Sequence, residues 1–405
     1  MNELCLKHSL FSWSATGKVD PLPIARAEGV YLYSPEGQRW IDWNSQLMSV
    51  NIGHGHPHVV EAIAQQARTL TFAYPGMATE IRAKLSKRLA ALCPGDINTF
   101  FYTLGGAEAN ENAIKAARQF SGRHKILVRY RSYHGATHGV ISLTGDPRRW
   151  PNEPGMNGVV RVMDPWPYDY SFGTNDEEIV ANNLRYLEEV IQYENPKNIA
   201  AMFIETVTGT NGILPPPQGY LSGLKALLDK YGILLVCDEV MAGWGRTGKL
   251  FAFEHGGIVP DIVTMAKGLT SNAHPMCLAA ADAVIDVIEN ERLVENSARM
   301  GEVMRGHMER LKAKHPSVLT HRNIGLFGTI ELRRNSKNER LVPYAGAHPV
   351  IGKLNKFFRD NGLFTVISQS LVMCNPPLCI DEAQMAEGFE IVDRGLSLVD
   401  EVFEG

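Results

Sequence analysis

The pattern of apolar and polar positions divides the chain into three textures. Residues 1–57 mix aromatics with Gly and Pro. There EGVYLYSPEGQRWIDWNS reads as a hairpin, with strand-like VYLY and RWIDW on either side of a Pro-Glu-Gly turn. NIGHGHP then reads as a loop opening a helix. From residue 58 helical and strand-like stretches alternate. Val59, Val60, Ile63, Ala67 and Leu70 make one helical face, and Ile81, Leu85, Leu89 and Leu92 the next; Ala113, Ile114 and Ala117 belong to a third. FFYT, KILVRY, GVVRVM, IAAMFIE, ILLVCDEV and DIVTMAK read as β segments, with a short apolar run, VISL, between KILVRY and GVVRVM. ILLVCDEV begins with the unbroken apolar run of a parallel strand buried on both faces. The alternation predicts an α/β fold with a mostly parallel sheet covered on both sides. After helical segments at 274–289 and 290–314, the tail changes to strand-like VLTHRNIGLFGTIELRR, helix PVIGKLNKFFRDNG, strands near LFTVI and SLVMC, and a final helix from about Glu382. The expected division is an N-terminal segment 1–57 in a small domain, a large domain 58–295, and the rest of the small α+β domain at 296–405.

The pattern points to one stretch, residues 233–270. Its first strand ends in Asp238 and Glu239, and its second β-like run ends in Lys267. Open α/β sheets bind ligands beyond the carboxyl ends of their strands. An acid and an amine at that edge suit pyridoxal phosphate, whose aldehyde forms a Schiff base with a lysine while an acid keeps the ring nitrogen protonated. A structural ion pair is the plainer alternative. In FFYTLGGAEANENAIKAAR, Gly105 and Gly106 separate a β-rich run from a helix, whose free N–H groups make a phosphate site; a bare Gly-Gly is also an ordinary turn. Tyr133 and His134 lie in a loop beyond KILVRY, where an aromatic can stack on a heterocycle or simply pack, and Glu205 ends IAAMFIE.

A nucleotide triphosphatase is the rival from another class. Residues 243–249, GWGRTGK, fit the phosphate-loop spacing, and Asp-Glu after an apolar strand suits magnesium. However, Leu250 occupies the position that needs a hydroxyl, and aromatic, Gly-broken LFAFEHGG offers no helix N-terminus for the phosphates. A cofactor-free binding protein is a third reading.

Composition narrows the classes further. With 405 residues, 44% of them hydrophobic and 21% charged, the chain has the make-up of an ordinary soluble protein of two domains, or of one large core with a small companion. A net charge of −4 gives no basic field for nucleic acid or anionic membrane. The six Cys form no C-x-x-C pair, and His54 and His56 lack a third ligand nearby, so neither a disulfide framework nor a metal site is expected. MNELCLKHSLFSWSATG lacks a signal-peptide core and no run has the length of a membrane span, so a cytoplasmic location is expected.

Taken together, the motifs resemble a class III (fold-type I) pyridoxal-phosphate-dependent aminotransferase. GGAEANENAIK, RSYHG, CDEVMAGWGRTG and MAKGLT arrive in that family's order and spacing, and the likeness runs from Phe11 to the last helix. NSQLMSVNIGHGHP and GDPRRWPNEPG are similar to the ω-amino acid/amine–pyruvate branch, which includes taurine–pyruvate enzymes. The resemblance implies a ping-pong transaminase with pyridoxal 5'-phosphate on Lys267. The amino group would pass from an amine donor to pyruvate or another keto acid or aldehyde. Asp238 would pair with the ring nitrogen, Val240 and Tyr133 would take the two ring faces, and His134 would lie beside Tyr133. Gly105, Gly106 and Ala107 would hold the phosphate, although many relatives have a hydroxyl side chain where Ala107 stands. Glu205 would bond near the ring hydroxyl or Asp238. Trp13, Leu47 and Met48 are candidates for pocket walls. A homodimer or dimer of dimers is implied, with racemase, decarboxylase and aminomutase chemistry on the same cofactor as alternatives.

Two departures from the family pattern matter. Only GLTSN lies between Lys267 and Ala273-His274-Pro275, where relatives have a further strand and a turn whose Thr reaches the neighbouring subunit's cofactor. A chain could hardly lose a core strand and stay sound, so the expectation is a protein longer than this sequence by a mobile loop, with a true deletion as the other reading. The second departure is TVISQSLVM, with Ser368 and Gln369 where relatives that handle keto acids often place a carboxylate-clamping Arg. A substrate carboxylate must then be read from elsewhere, or else the preferred partners are plain amines, aldehydes and small ketones.

Overall fold

The computed structural model describes residues 1–12, 14, 17–269 and 274–405 of the chain. Near the N-terminus β1 (Arg26–Glu28), β2 (Tyr31–Tyr33) and β3 (Arg39–Asp42) form an antiparallel meander. The central sheet follows: β4 (Lys125–Arg129), β5 (Val159–Val162), β6 (Ile199–Glu205), β7 (Leu234–Asp238) and β8 (Ile262–Thr264), in the order β5-β4-β6-β7-β8 and parallel throughout. Parallel neighbours need crossovers, and helices such as Asp176–Tyr193 and Tyr220–Lys230 supply them. All seven residues of β6 are buried, as a strand covered on both faces requires.

In the C-terminal part, β9 (Val318–Ile324), β10 (Phe327–Leu332), β12 (Ile367–Ser368) and β13 (Leu371–Cys374) form a second antiparallel sheet. The two-residue β11 (Leu363–Phe364) instead pairs parallel with β3, stitching the tail to the N-terminal meander. Among the described residues no helix is long and apolar enough to cross a membrane.

Two apolar runs lie outside the sheets: the short run VISL, for which the pattern sets no type, and FFYT, read as β-rich. VISL lies in a helix, His138–Leu143. Glu111 holds its start: one carboxylate oxygen accepts from Thr137 Oγ1 at 2.7 Å and from the N–H groups of Gly139 and Val140 at 2.8 and 3.2 Å. A carboxylate on the unsatisfied donors of a helix N-terminus outweighs the β preference of a four-residue run. FFYT is the other case. Residues 97–103 run without strand pairing, and Phe101 is 77% exposed.

The physical reason lies at the far edge of the sheet. β8 pairs only with β7 among the described residues. A groove of about 680 Å³ separates β8 from residues 97–103, with Leu85, Leu89, Phe100, Tyr102, Val263 and Leu278 in its walls. We propose that the short junction after Lys267 belongs to the protein itself, since the central sheet pairs fully from β5 to β8 without a further strand. Residues 270–273 of that junction lie outside the described residues. A proteolytic peptide that spans Lys267 and His274 should therefore have the mass of GLTSNA between them by mass spectrometry. A heavier species, by the mass of a strand and a turn, would restore the omitted-loop reading.

Candidate active site

The strands of the central sheet end in register. Glu205 of β6 lies opposite Asp238 of β7, and Asp238 opposite Thr264 of β8. Asp238 is 4% exposed, and a buried carboxylate needs donors. It has three: His134 Nδ1 lies 2.8 Å from Oδ2, Asn110 Nδ2 donates to the same oxygen at 2.8 Å, and the Val240 N–H donates to Oδ1 at 3.0 Å. Asn110 comes from the helix Gly106–Ser121. It is fixed in turn by Thr264 Oγ1, which donates to its Oδ1 at 2.7 Å, and by the His134 carbonyl, to which it donates at 2.8 Å.

Sequence reasoning quoted GGAEANENAIK without singling out Asn110. The available signal was its spacing: one turn along the helix from Gly106, it faces the sheet. The Nε2 of His134 is buried with no hydrogen-bond partner among the described residues, and a buried polar atom of that kind calls for one.

Glu205 does not hydrogen-bond to Asp238. Its Oε1 accepts from the Tyr133 N–H at 2.8 Å and its Oε2 from the Gly209 N–H at 2.9 Å, so it pins the two loops that follow β4 and β6. Burial pushes its pKa up, and the nearby Asp238 charge adds to the rise. Lys267 lies just past β8, opening the short 3-10 turn Lys267–Leu269 with a left-handed φ of 51°. The next residue has to be Gly, since a Cβ on Gly268 would lie 2.4 Å from Asn51 Nδ2. Burial lowers the pKa of the Lys267 amine from its ordinary value; Asp238 and Glu205 pull it back up, and Arg148 pushes it down.

The Gly-Gly turn opens a helix as expected, with Gly105 at its N-cap and Gly106 as its first residue. The first intrahelical bond of that turn runs from the Ala109 N–H to the Gly105 carbonyl, which leaves the N–H groups ahead of it for a ligand. This end is packed against its neighbours. A Cβ on Gly106 would lie 2.9 Å from Val240 Cγ1, and one on Gly135 would lie 2.7 Å from Ala107 Cβ. The open helix N-terminus, Val240, the Tyr133 loop, Asp238 and Lys267 thus lie at one sheet edge.

The other candidates fall elsewhere. Trp13 lies outside the described residues. Leu47 is 46% exposed, and Met48 is buried in an apolar cluster with Met241 and Phe327. His54 pairs with Asp42 and His56 with Glu291, each at 2.8 Å. Glu239 points away from the site. Its oxygens accept from Thr206 Oγ1 and from the N–H groups of Ala252 and Phe253, and burial pushes its pKa up to about 7. Residues 243–249 form turns, and Arg246 among them is wholly buried, so neither part of the nucleotide triphosphatase reading has a phosphate to meet.

Strand ends carrying acid and amine, beside an open helix N-terminus, define a pyridoxal-phosphate enzyme of the fold-type I class. The aminotransferase class-III family model matches residues 14–276 and 268–396, and the chain belongs to that family. The two matched stretches meet at the short junction after Lys267. The chain is similar to the taurine:2-oxoglutarate aminotransferase of Bifidobacterium kashiwanohense, solved in complex with PLP and glutamate: 34% identity, TM-score 0.94, 99% of this chain and 98% of that one. An (S)-enantioselective ω-transaminase from Thermomicrobium roseum is similar at 33% identity and TM-score 0.92, over 99% and 98% of the two chains. The taurine–pyruvate aminotransferase of Bilophila wadsworthia is 30% identical over 431 aligned positions, 95% of this chain and 94% of its own. An alignment longer than this 405-residue chain must leave gaps in it. The protein is a pyridoxal-phosphate-dependent aminotransferase, and its named relatives favour amino transfer over racemisation, decarboxylation or amine migration.

Two stability predictions follow from the site. Asn110→Ala leaves the buried Asp238 and Thr264 short of a partner, so chemical denaturation should show a loss of about 1–3 kcal/mol. Lys267→Met removes a buried cation. In cofactor-free protein the unfolded chain holds the Lys267 proton more tightly than the folded one. Stability of the parent should therefore rise with pH up to the ordinary lysine value, and Lys267→Met should melt higher than the parent at pH 8, with the gap closing as pH rises. A parallel pair of melting curves against pH would refute this.

Proposed function

We propose that the chain moves an amino group from an ω-amino acid, an aminosulfonate or a plain amine to pyruvate or another 2-oxo acid. The carrying observation is the row Glu205, Asp238, Thr264 with Lys267 beyond it, facing the open N-terminus of the helix Gly106–Ser121. Bound there, pyridoxal 5'-phosphate supplies an aldehyde that takes the amino group and a ring that accepts electrons. Lys267 would hold the cofactor. With its pKa lowered it would also serve at the same position as the base that moves the proton of the substrate carbon.

Asp238, fixed by His134, Asn110 and the Val240 N–H, would hold a proton on the ring nitrogen. Val240 and Tyr133 would take the two ring faces, with His134 beside Tyr133. The N–H groups of Gly106 and Ala107, after the Gly105 cap, would receive the phosphate without a side chain. Glu205 would act from the loop side by holding the Tyr133 backbone. The taurine–pyruvate and taurine–2-oxoglutarate relatives support acid-bearing donors and 2-oxo acid acceptors. We also propose a homodimer or dimer of dimers working in the cytoplasm, in keeping with the small net charge.

The test is a panel of amine donors with pyruvate or 2-oxoglutarate, read as the amino acid released. Lys267→Ala should abolish transfer and leave no cofactor that borohydride can fix to the protein. Asp238→Asn should slow the half-reaction on the order of 100- to 1,000-fold, the scale of losing one stabilising group. Turnover by Lys267→Ala, or an Asp238→Asn rate within about threefold of the parent, would overturn these assignments.

A further inference from the structure

A second cavity, of about 620 Å³, lies where the loops after β4, β5 and β6 meet the C-terminal sheet. None of Tyr133, Asp238 and Lys267 lines it. The topology sets it apart from the cofactor end. β5 is the outermost strand of the central sheet on the side away from β8, and β9 is the outermost strand of the C-terminal sheet on the side away from β12, which carries Ser368.

Four Arg line the cavity, Arg131, Arg305, Arg322 and Arg340, against two acids, Asp176 and Glu331. Glu331 is shared: its Oε2 accepts from Arg322 Nη1 at 2.8 Å and its Oε1 from Arg340 Nε at 2.6 Å. Burial works to raise its pKa, yet Arg322 and Arg340 hold it below the ordinary value. One carboxylate thus answers two guanidiniums, and positive charge is left over. Asp176 stands exposed at the rim, where it accepts from the Gln218 N–H at 2.9 Å. His321 of β9 feels the same field. Burial lowers its pKa, and Lys312, Arg305 and Arg322 lower it further, against Glu309. A cleft lined by one sign of charge concentrates counter-ions.

Donors also remain unused. The Arg340 guanidinium is fixed by Glu331, by the Tyr168 carbonyl at 2.8 Å from Nη1, and by the Tyr168 ring, 3.7 Å from its carbon. Its Nη2 has no partner among the described residues. Arg305 spends Nε on Asn323 and Nη1 on Glu302, which leaves its Nη2 without one as well. Neither ring nitrogen of His321 is hydrogen-bonded among the described residues. Arg131 and Arg322 instead stiffen the wall, donating to the Asn211 and Gly212 carbonyls of the loop after β6. Facing these cations, Pro215, Pro216 and Pro217 offer no backbone N–H, so recognition falls to the charged side chains.

We propose that this cavity is a binding site for a small anion of two or more charges, carrying carboxylate or phosphate groups, held by Arg340, Arg305 and His321. Its occupant joins the loops of the central sheet to the C-terminal sheet, outside the Lys267 site. The proposal goes beyond the transaminase reading and is probed without amino transfer.

The test is calorimetric titration of the holoenzyme with citrate and with pyrophosphate, in metal-free buffer with excess cofactor so that its own phosphate site is filled. The parent should bind at least one of them at a single site per chain, and acetate about tenfold more weakly or worse, since a single charge makes fewer charge-assisted contacts. The tighter of the two probes identifies the acid group. Arg340→Gln should weaken binding about tenfold or more, the scale of one charge-assisted contact. Arg305→Glu reverses a charge on a side chain that is 42% exposed. It should weaken binding by at least as much, and it decides the matter if Arg340→Gln fails to fold. Asp176→Asn takes a negative charge from the rim and should tighten binding about two- to fivefold, an effect that general damage to the fold cannot produce. No saturable binding of either probe, equal affinity in the parent and the Arg variants, or weaker binding by Asp176→Asn would overturn the proposal.

Discussion

The site depends on seating a carboxylate in a place where water cannot help it. Moving an ion of that kind into a protein interior costs several kcal/mol unless donors replace its hydration. Asp238 recruits those donors from three separate elements: the loop after β4, the helix Gly106–Ser121, and its own strand end. Each donor fixes more than the acid. Asn110 sets the rotation of the helix whose first turn would hold a phosphate, and His134 sets the loop that carries Tyr133. The remaining mismatch is deliberate chemistry: Glu205 is buried one strand away, and the Lys267 amine is pushed toward its neutral form. A ligand with a cationic ring nitrogen and an anionic tail relieves both ends of that arrangement at once.

Behind the site, the segment after Asp238 ties the sheet to the N-terminal part. Glu239 faces the opposite way and anchors Ala252 and Phe253, so two adjacent acids split between chemistry and scaffold. Arg246, pulled down in pKa by burial, reaches Ser45 and Asn51. Ser45 begins a run of four left-handed residues, Ser45–Met48, with φ between 46° and 60°. Left-handed turns of L-residues cost roughly 1–2 kcal/mol each. Asp42 accepts from the Asn44 and Gln46 N–H groups, and Ser45 donates to the Asn375 carbonyl, so the strain is held from both sides. Its outcome is to present Leu47 to the surface while Met48 turns into the core.

Most of the large domain was legible because buried parallel strands are written as continuous apolar runs, and because the acid and lysine fall at their ends. VISL was not, since four apolar residues fit either period and the deciding partner, Glu111, is far away in sequence. Asn110 was hidden for a related reason: a polar residue on a helix looks solvated until the sheet it faces is known. Glu205 was placed at the correct strand tip, but the backbone N–H groups it accepts from belong to loops whose paths no residue pattern reveals.

The shortened junction shows which parts of such a sheet the site needs. Every residue argued to meet the cofactor comes from the ends of β6 and β7, the loops after β4 and β7, the turn beyond β8, or the helix Gly106–Ser121 and its Gly105 cap. The pairing from β5 through β8 is complete, and the short junction after Lys267 lies beyond its outer strand. Among the described residues β8 is an edge strand. It is three residues long with only Thr264 fully buried, and a short edge exposes few unpaired groups. Across the groove, residues 97–103 have no strand pairing and Phe101 and Leu104 are exposed. These residues lead directly into Gly105 and Gly106, so this helix N-terminus is held by its packing on Val240 and the Tyr133 loop instead of by the sheet.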